Sequence, residues 1–438
     1  MPEAGARTNE GRPAVKILFI CADHGIPVFG SKGASVHVRE LTEAFYRCGH
    51  QVTLVAPTTD DPDPAFNTTM RINADLKHIK LSKNSKHNIN LTKQYLQYVG
   101  SKEYIASDLK KVFYNQELEQ HLHDCFLSAP PDFIYVRASL YSTAGIKLSK
   151  ALKCPLIVEL NAPLAKEQAI YRGCGLPEVA ELAERTLLSN ASAICCVSEA
   201  LRTYALSQQN IPDKLYVTPN GVNPLFFAKT VDGSNTKNHW QDGDHPASGP
   251  IIGFVGSLRP WHGINIIPAL IKKISVQYQD VKFMVVGNSP LNETLLSAFK
   301  QLGIESNLAF TGARPHHEIP DLIRQFDIAI APYSPLEHEF YFSPIKIFEY
   351  MACGVPVVAA RIGQIRDVID HKRTGWLYSP DNLDDLVNGC LHILEDSSLA
   401  RYLGQQAKQL IRDNYTWDHN ARRIINIVKD CCDTNEQY

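Results

Sequence analysis

Short apolar runs rich in β-branched residues alternate with longer amphipathic segments along most of this chain, and the series starts afresh halfway. That alternation constrains the fold more than any other feature. A strand followed by a helix and then by another strand builds a parallel sheet covered by helices. In the first half, strands are expected at 15–21, 51–56, 133–137, 155–160, 193–197 and 214–218, and helical periodicity fills 35–47, 142–152, 176–188 and 199–207. Lys229–Gly249 then holds almost no apolar residue and reads as a linker. The second series has strands at 251–256, 281–287, 308–312, 328–332 and 355–360, with helices at 263–276, 291–302, 318–324, 344–351 and 383–394. Two more helices, 399–412 and 417–429, close the chain. The 438 residues exceed what one hydrophobic core sustains. The reading is therefore α/β, with two Rossmann-like domains at 15–228 and 250–415 whose parallel sheets face a central cleft, ligands binding beyond the carboxyl ends of the strands.

Composition narrows the function classes. Hydrophobic residues make up 44% and charged residues 21%, and the net charge of −2 gives no reason to expect nucleic acid as a partner. No apolar run approaches the ~20 residues of a membrane span. Residues 1–14 are polar and lack the apolar core of a signal peptide, so a flexible tail and a cytoplasmic protein are expected. Eleven cysteines include no Cys-x-x-Cys pair and read as reduced thiols, several inside strand-like runs such as Ile194-Cys195-Cys196-Val197. The sequons at Asn67 and Asn90 carry little weight in that setting.

Three stretches carry chemistry. The first strand runs into Gly25-Ile26-Pro27-Val28-Phe29-Gly30-Ser31-Lys32-Gly33, before a helix opens at Ala34. Glycines there let the backbone approach a phosphate and the helix N-terminus supplies amides, with a tight strand–helix turn as the plainer alternative. Neither the P-loop order nor the Gly-x-Gly-x-x-Gly fingerprint is present. Asp61-Pro62-Asp63 and Asp242-Gly243-Asp244 match an Asp-x-Asp metal pattern, but both sit in polar Pro/Gly stretches and read as solvated turns, so no metal is expected. The third stretch is Phe340–Val358. Pro344 opens a short helix in which Lys346 and Glu349 stand at i, i+3 on one face near its N-terminus. A lysine there suits a phosphate and a carboxylate suits the paired hydroxyls of a ribose. A surface ion pair is the plainer alternative.

This third stretch resembles the donor-binding signature of the retaining GT-B glycosyltransferases of family 4. Glu349 through Val358 match its ending, Glu-x-Met-Ala-x-Gly-x-Pro-Val-Val. Cys48-Gly49-His50-Gln51-Val52 is similar to the family's helix-to-second-strand turn, and Pro219-Asn220-Gly221-Val222-Asn223 to its last N-domain loop. Gly256-Ser257-Leu258-Arg259-Pro260-Trp261-His262-Gly263 resembles the first loop of the donor domain. Phe310-Thr311-Gly312-Ala313-Arg314 resembles the loop whose backbone reads the nucleobase. The family motif is Glu-x7-Glu, and Tyr341 stands where its first acid belongs. Glu337, Glu339 or backbone amides at Phe342 and Ser343 are its substitutes. Ser257 and His262 occupy positions where many members carry basic residues, and Asn223 replaces an aspartate.

The resemblance implies transfer of a hexose from a nucleotide-diphosphate sugar to an acceptor hydroxyl, with retention and without a metal or other cofactor. A UDP-sugar is favoured and GDP-mannose stands second. Arg259 and Lys346 would stabilise the departing diphosphate and Glu349 would anchor the ribose, helped by Gly33, Ser257, His262, Gly312, Arg314, Tyr341, Phe342 and Ser343. On the acceptor side, Arg137, Asn161, Gln168, Tyr171 and Arg172 follow strands of the first domain, where helix capping is the plainer role. Residues 416–438 would cross back to that domain. The acceptor itself is unnamed by the sequence. Residues 71–111 carry nine basic side chains against three acidic ones, a solvated insertion or a peripheral contact with a membrane surface. A nucleotide-sugar epimerase or hydrolase, and a non-catalytic nucleotide-sugar-binding protein, are the alternatives.

Overall fold

The computed structural model describes residues 13–60, 71–102, 104–228, 249–336 and 338–435. Both Asp-x-Asp pairs, the sequon at Asn67, Glu337, the first twelve residues and all but the end of the expected linker lie outside them.

Strands of the first series are β1 (Lys16–Cys21), β2 (Gln51–Ala56), β3 (Asp75–His78), β4 (Phe133–Arg137), β5 (Leu156–Leu160), β6 (Ala193–Cys196) and β7 (Leu215–Val217). They form one parallel sheet in the order β3-β2-β1-β4-β5-β6-β7. The second series gives β8 (Ile251–Val255), β9 (Lys282–Val286), β10 (Leu308–Gly312), β11 (Ile328–Ala331), β12 (Val357–Ala360) and β13 (Trp376–Tyr378), again parallel, in the order β10-β9-β8-β11-β12-β13. Helices cover both faces of such sheets, so central strands are buried throughout, as is every side chain of β4, β5, β11 and β12.

The helices of the first series are α1 (Gly33–Arg47), α2 (Lys83–Tyr98), α3 (Tyr104–Phe126), α4 (Ile146–Leu152), α5 (Leu164–Tyr171), α6 (Pro177–Asn190) and α7 (Glu199–Gln208). Those of the second are α8 (Ile267–Ile274), α9 (Asn292–Gln301), α10 (Ile319–Ile323), α11 (Ile345–Cys353), α12 (Ile365–Val368), α13 (Leu383–Glu395) and α14 (Ser397–Asn414); α15 (Trp417–Asn435) ends the chain. Gly49, at φ 87°, turns α1 into β2. The chain folds as two compact units, Met1–Pro219 together with Trp417–Tyr438, and Asn220–Thr416. In the first, α15 packs on α1: Trp417 lies edge-on to His37 at 4.7 Å, and Asp418 accepts two hydrogen bonds from Arg47 at 2.6 and 2.9 Å. In the second, the segments that enter and leave it pair through Val222 and Thr416, with the Val222 amide donating to Tyr415 O at 2.9 Å.

Residues 71–111 differ from a featureless insertion. They supply β3, all of α2 and the start of α3. The edge strand β3 (Asp-Leu-Lys-His) buries none of its side chains, so no apolar run marks it. None of the eleven cysteines is in a disulfide, and no described helix is long and apolar enough to cross a membrane.

Candidate functional site

In the C-terminal unit the first loop after β8 is closed by glycines. Gly256 has φ 116°, and a Cβ on it would stand 3.3 Å from Lys346 Nζ. Lys346, on the first turn of α11, reaches into that space. Its Nζ is shielded from solvent, has no hydrogen-bond partner, and lies 3.8 Å from the centroid of the Phe254 ring, with Tyr333 at 5.9 Å. Burial pulls its pKa down to about 7, with Glu349 opposing. The surface ion pair with Glu349, the plainer alternative, does not form. Glu349 is 6% exposed and its Oε1 accepts from His316 Nε2 at 2.8 Å.

His262 ends the 3-10 turn Pro260–His262 and lies among Phe254, Trp261 and Tyr333, at 5.4, 6.0 and 5.1 Å between ring centroids. Its Nδ1 is buried without a partner. Burial first, and then the charge of Lys346, lower its pKa to about 2, so it serves as a neutral group rather than the cation that many family members carry there. Ser257 and Arg259 are exposed on the same loop. Tyr341, at the position of the missing acid, is buried and packs on His338 at 5.2 Å and Phe342 at 4.5 Å; Phe342 in turn stacks on Trp261 at 6.5 Å. Of the proposed substitutes, Glu339 is exposed. Ser343 is fixed by Asn220, whose amide donates to its Oγ at 3.0 Å and whose Nδ2 donates to its carbonyl at 2.6 Å. Gly312 (φ 72°) closes β10 at a register shift, and Arg314 is exposed, its Nε donating to Thr311 O at 3.2 Å.

The N-terminal unit gathers its polar groups around a residue that the sequence reading left out. Glu159, buried on β5, accepts from His37 Nε2 (2.7 Å), Tyr135 OH (2.6 Å), Arg137 Nη1 (2.6 Å) and Asn161 Nδ2 (2.6 Å). Burial alone would raise its pKa, but His37, Arg137 and Tyr135 outweigh that and hold it well below the usual carboxylate range. Arg137 and Asn161 are thus brought together by an internal carboxylate. Asn161 does not cap α5, whose N-cap is Pro163. Gln168 Nε2 donates to Gly173 O at 3.0 Å, Tyr171 is half exposed, and Arg172 pairs with Glu167 at 3.4 Å on the surface. The glycine loop is tightly built. Arg39 Nη1 donates to Val28 O and Gly30 O at 2.7 and 2.6 Å, and a Cβ at Gly30 would meet Ser35 Oγ at 2.6 Å. Gly33 is the first residue of α1.

His37, Glu159 and His316 escaped sequence reasoning because each meets its partner across more than thirty residues, |i−j| being 122 for His37–Glu159 and 33 for His316–Glu349. No group of three or more ligand-type side chains suited to a metal occurs among the described residues.

Two parallel-sheet Rossmann-like units, with a lysine and a carboxylate on the helix after β11 in the second, define the GT-B class. Residues 31–225 match Glycosyltransferase Family 4 and residues 235–410 match Glycosyl transferases group 1, and the chain belongs to this glycosyltransferase family. An uncharacterized glycosyltransferase of Methanocaldococcus jannaschii is 28% identical over 240 residues, 54% of this chain and 59% of that protein. A GDP-mannose-dependent alpha-(1-6)-phosphatidylinositol monomannoside mannosyltransferase of Mycolicibacterium smegmatis is 24% identical over 259 residues, 58% of this chain and 67% of that protein. The match thus spans only part of these relatives. Among solved structures, sucrose-phosphate synthase from Thermosynechococcus elongatus superposes with a TM-score of 0.70 at 17% identity, covering 96% of this chain and 100% of that one. Anabaena HepE in complex with UDP and glucose gives 0.66 at 18% identity, covering 95% and 100%. At such identities the likeness establishes the fold.

Proposed function

We propose that this protein transfers a hexose from a nucleotide-diphosphate sugar to an acceptor hydroxyl, with retention and without a bound metal. The observation that carries the reading is Lys346 Nζ, sealed from solvent with no hydrogen-bond partner one helical turn from Glu349. A buried amine without a partner is costly unless a ligand completes it, and three N–H donors fit phosphate oxygens. In the transfer, the bond from the anomeric carbon to the diphosphate oxygen breaks and a bond to the acceptor oxygen forms on the same face. The acceptor proton passes to the departing phosphate. Lys346 and the exposed Arg259 supply positive charge as that phosphate gains negative charge, a role worth about 3 kcal/mol for a fixed donor in a water-excluded site. Glu349 takes the ribose hydroxyls. UDP is the favoured nucleotide, with the HepE complex as support, and GDP stands second on the mannosyltransferase likeness.

Thermal-shift titration with UDP, GDP and their sugars tests this, because a ligand stabilises the folded state by mass action. UDP or GDP should raise the melting temperature of the wild type, and Lys346→Ala should remove most of that shift. Turnover should survive excess EDTA. Activity lost to EDTA and restored by magnesium would overturn the metal-independent mechanism.

We propose in addition that α2 touches an anionic bilayer. It carries Lys83, Lys86 and Lys93, no carboxylate and no buried side chain, while Tyr95 and Tyr98 are 65% and 89% exposed. Each lysine near an anionic surface contributes about 1 kcal/mol. The protein should sediment with phosphatidylserine vesicles and not with phosphatidylcholine ones, and replacing the three lysines by glutamate should abolish sedimentation. Equal sedimentation of that variant would refute the contact.

A further inference from the structure

Glu349 lies on α11 with its carboxyl nearly closed off from solvent, and the hydrogen bond it receives falls on one oxygen only, Oε1, from His316 Nε2 at 2.8 Å. A carboxylate is an acceptor only, so the imidazole carries its proton on Nε2 and donates. His316 belongs to a different segment, the turn His316–Glu318 after β10 and the Gly312 loop. Its ring is fixed from another side by Phe226, at 5.4 Å between centroids. Two rigid supports therefore hold the imidazole, and the imidazole holds the carboxylate. The second oxygen is left for a ligand.

Resting on the reading that Glu349 receives a ribose, we propose that His316 is the positioning residue that makes Glu349 discriminate a ribonucleotide from its 2′-deoxy counterpart. Two neighbouring hydroxyls can be told from one only if the acceptor cannot swing to suit the single hydroxyl. A carboxylate free to change rotamer would re-form its best bond with the remaining 3′-hydroxyl and lose little. Pinned by His316, it cannot follow, and a 2′-deoxyribose leaves a buried acceptor short of a partner. Lys346, which addresses phosphate, plays no part in this distinction.

The test is isothermal titration of the full chain with UDP and 2′-deoxy-UDP, and with the guanosine pair if UDP does not bind. The variants are His316→Phe, which keeps a ring against Phe226 but cannot donate, and His316→Gln, whose side-chain amide can. The wild type should prefer the ribonucleotide by tenfold or more. His316→Phe should bring the two within about threefold, chiefly by weakening the ribonucleotide, and His316→Gln should recover part of the preference. Lys346→Ala should weaken both nucleotides alike and leave their ratio intact, which separates phosphate recognition from ribose recognition. A His316→Phe protein that melts as the wild type does and keeps the full preference overturns the inference while leaving the nucleotide reading standing. If His316→Phe does not fold, His316→Ala takes its place: a preference that collapses in it supports the inference, and a full preference overturns it. A wild type that binds none of the four nucleotides overturns the nucleotide reading and this inference together.

Discussion

A lysine amine kept from water is unstable in its charged form, and the surroundings of Lys346 show how far this protein carries that arrangement. From β8 it faces an aromatic ring, from the following loop the neutral His262 and the exposed Arg259, from beyond β11 the phenol of Tyr333, and from its own helix Glu349 and Tyr350. Its pKa is about 7, lowered from 10.5. Between those values the unfolded chain holds a proton that the folded one has released, so the free protein gains stability as pH rises through that window. Nucleotide binding runs the opposite way. A diphosphate needs the ammonium form, so UDP affinity should be level just below pH 7 and fall about tenfold per unit above it, where phosphate ionisation (pKa about 6) is already complete. Calorimetry from pH 6.5 to 9 reads this directly, and a pH-independent affinity would contradict it. Lys346→Met should melt higher than the wild type at pH 7 and bind UDP more weakly. Lys346 and Glu349 were legible in the sequence because both lie in one short helix with a distinctive ending. His316 was not, since nothing local says that a histidine 33 positions away will turn toward Glu349.

Elements differed in legibility for reasons of burial. β4 and β5 are buried on both faces and announce themselves as largely apolar runs, whereas β3 at the sheet edge holds one apolar residue, Leu76, and buries none of its side chains. In α3, Tyr114, Leu118, Leu122 and Phe126 recur at four-residue spacing and are all buried, but the lysines around its start dominated the reading of that stretch. α2 buries nothing and so has no apolar stripe turned inward to betray it. Glu159 ties elements of the first sheet together: His37 comes from α1, Tyr135 and Arg137 from β4, and Asn161 from the end of β5. Removing one partner from a buried ion pair strands the other, so Glu159→Ala should cost about 3–5 kcal/mol in urea unfolding. Because the folded-state pKa of Glu159 is depressed, its contribution is present above the ordinary carboxylate range near 4.5 and is lost as pH falls below it. The difference between wild type and Glu159→Ala should therefore shrink in acid. A cost under 1 kcal/mol at pH 7 would show that the cluster is not holding the elements.

At the scale of the whole molecule, the alternation of strand and helix specified two parallel sheets, and the polar stretch between the two series separated them in the sequence. What alternation cannot give is where the last helix goes, since an amphipathic helix at a chain end fits any apolar face. α15 belongs to the first unit, where Trp417, Ala421, Ile424 and Val428 are buried at three- and four-residue spacing. Trp417 is among the most deeply buried large side chains of the protein, and truncating such a residue alone costs about 3–5 kcal/mol. Whole domains are stable by only about 5–15 kcal/mol. Ending the chain after Thr416 removes the entire face, together with the Arg47–Asp418 pair and the ring of Trp417 on His37. Such a truncated chain should lose hydrogen-exchange protection across β1, β2 and α1. Protection across β8, β9, β11 and β12 should stay near that of the intact protein, because the core of that unit contains no residue of α15. Lys346 and Glu349 lie in the retained unit, so UDP binding should persist if that unit holds its fold. Loss of protection in β8–β12 with β1 and β2 unaffected would mean that the terminal helix serves the other unit.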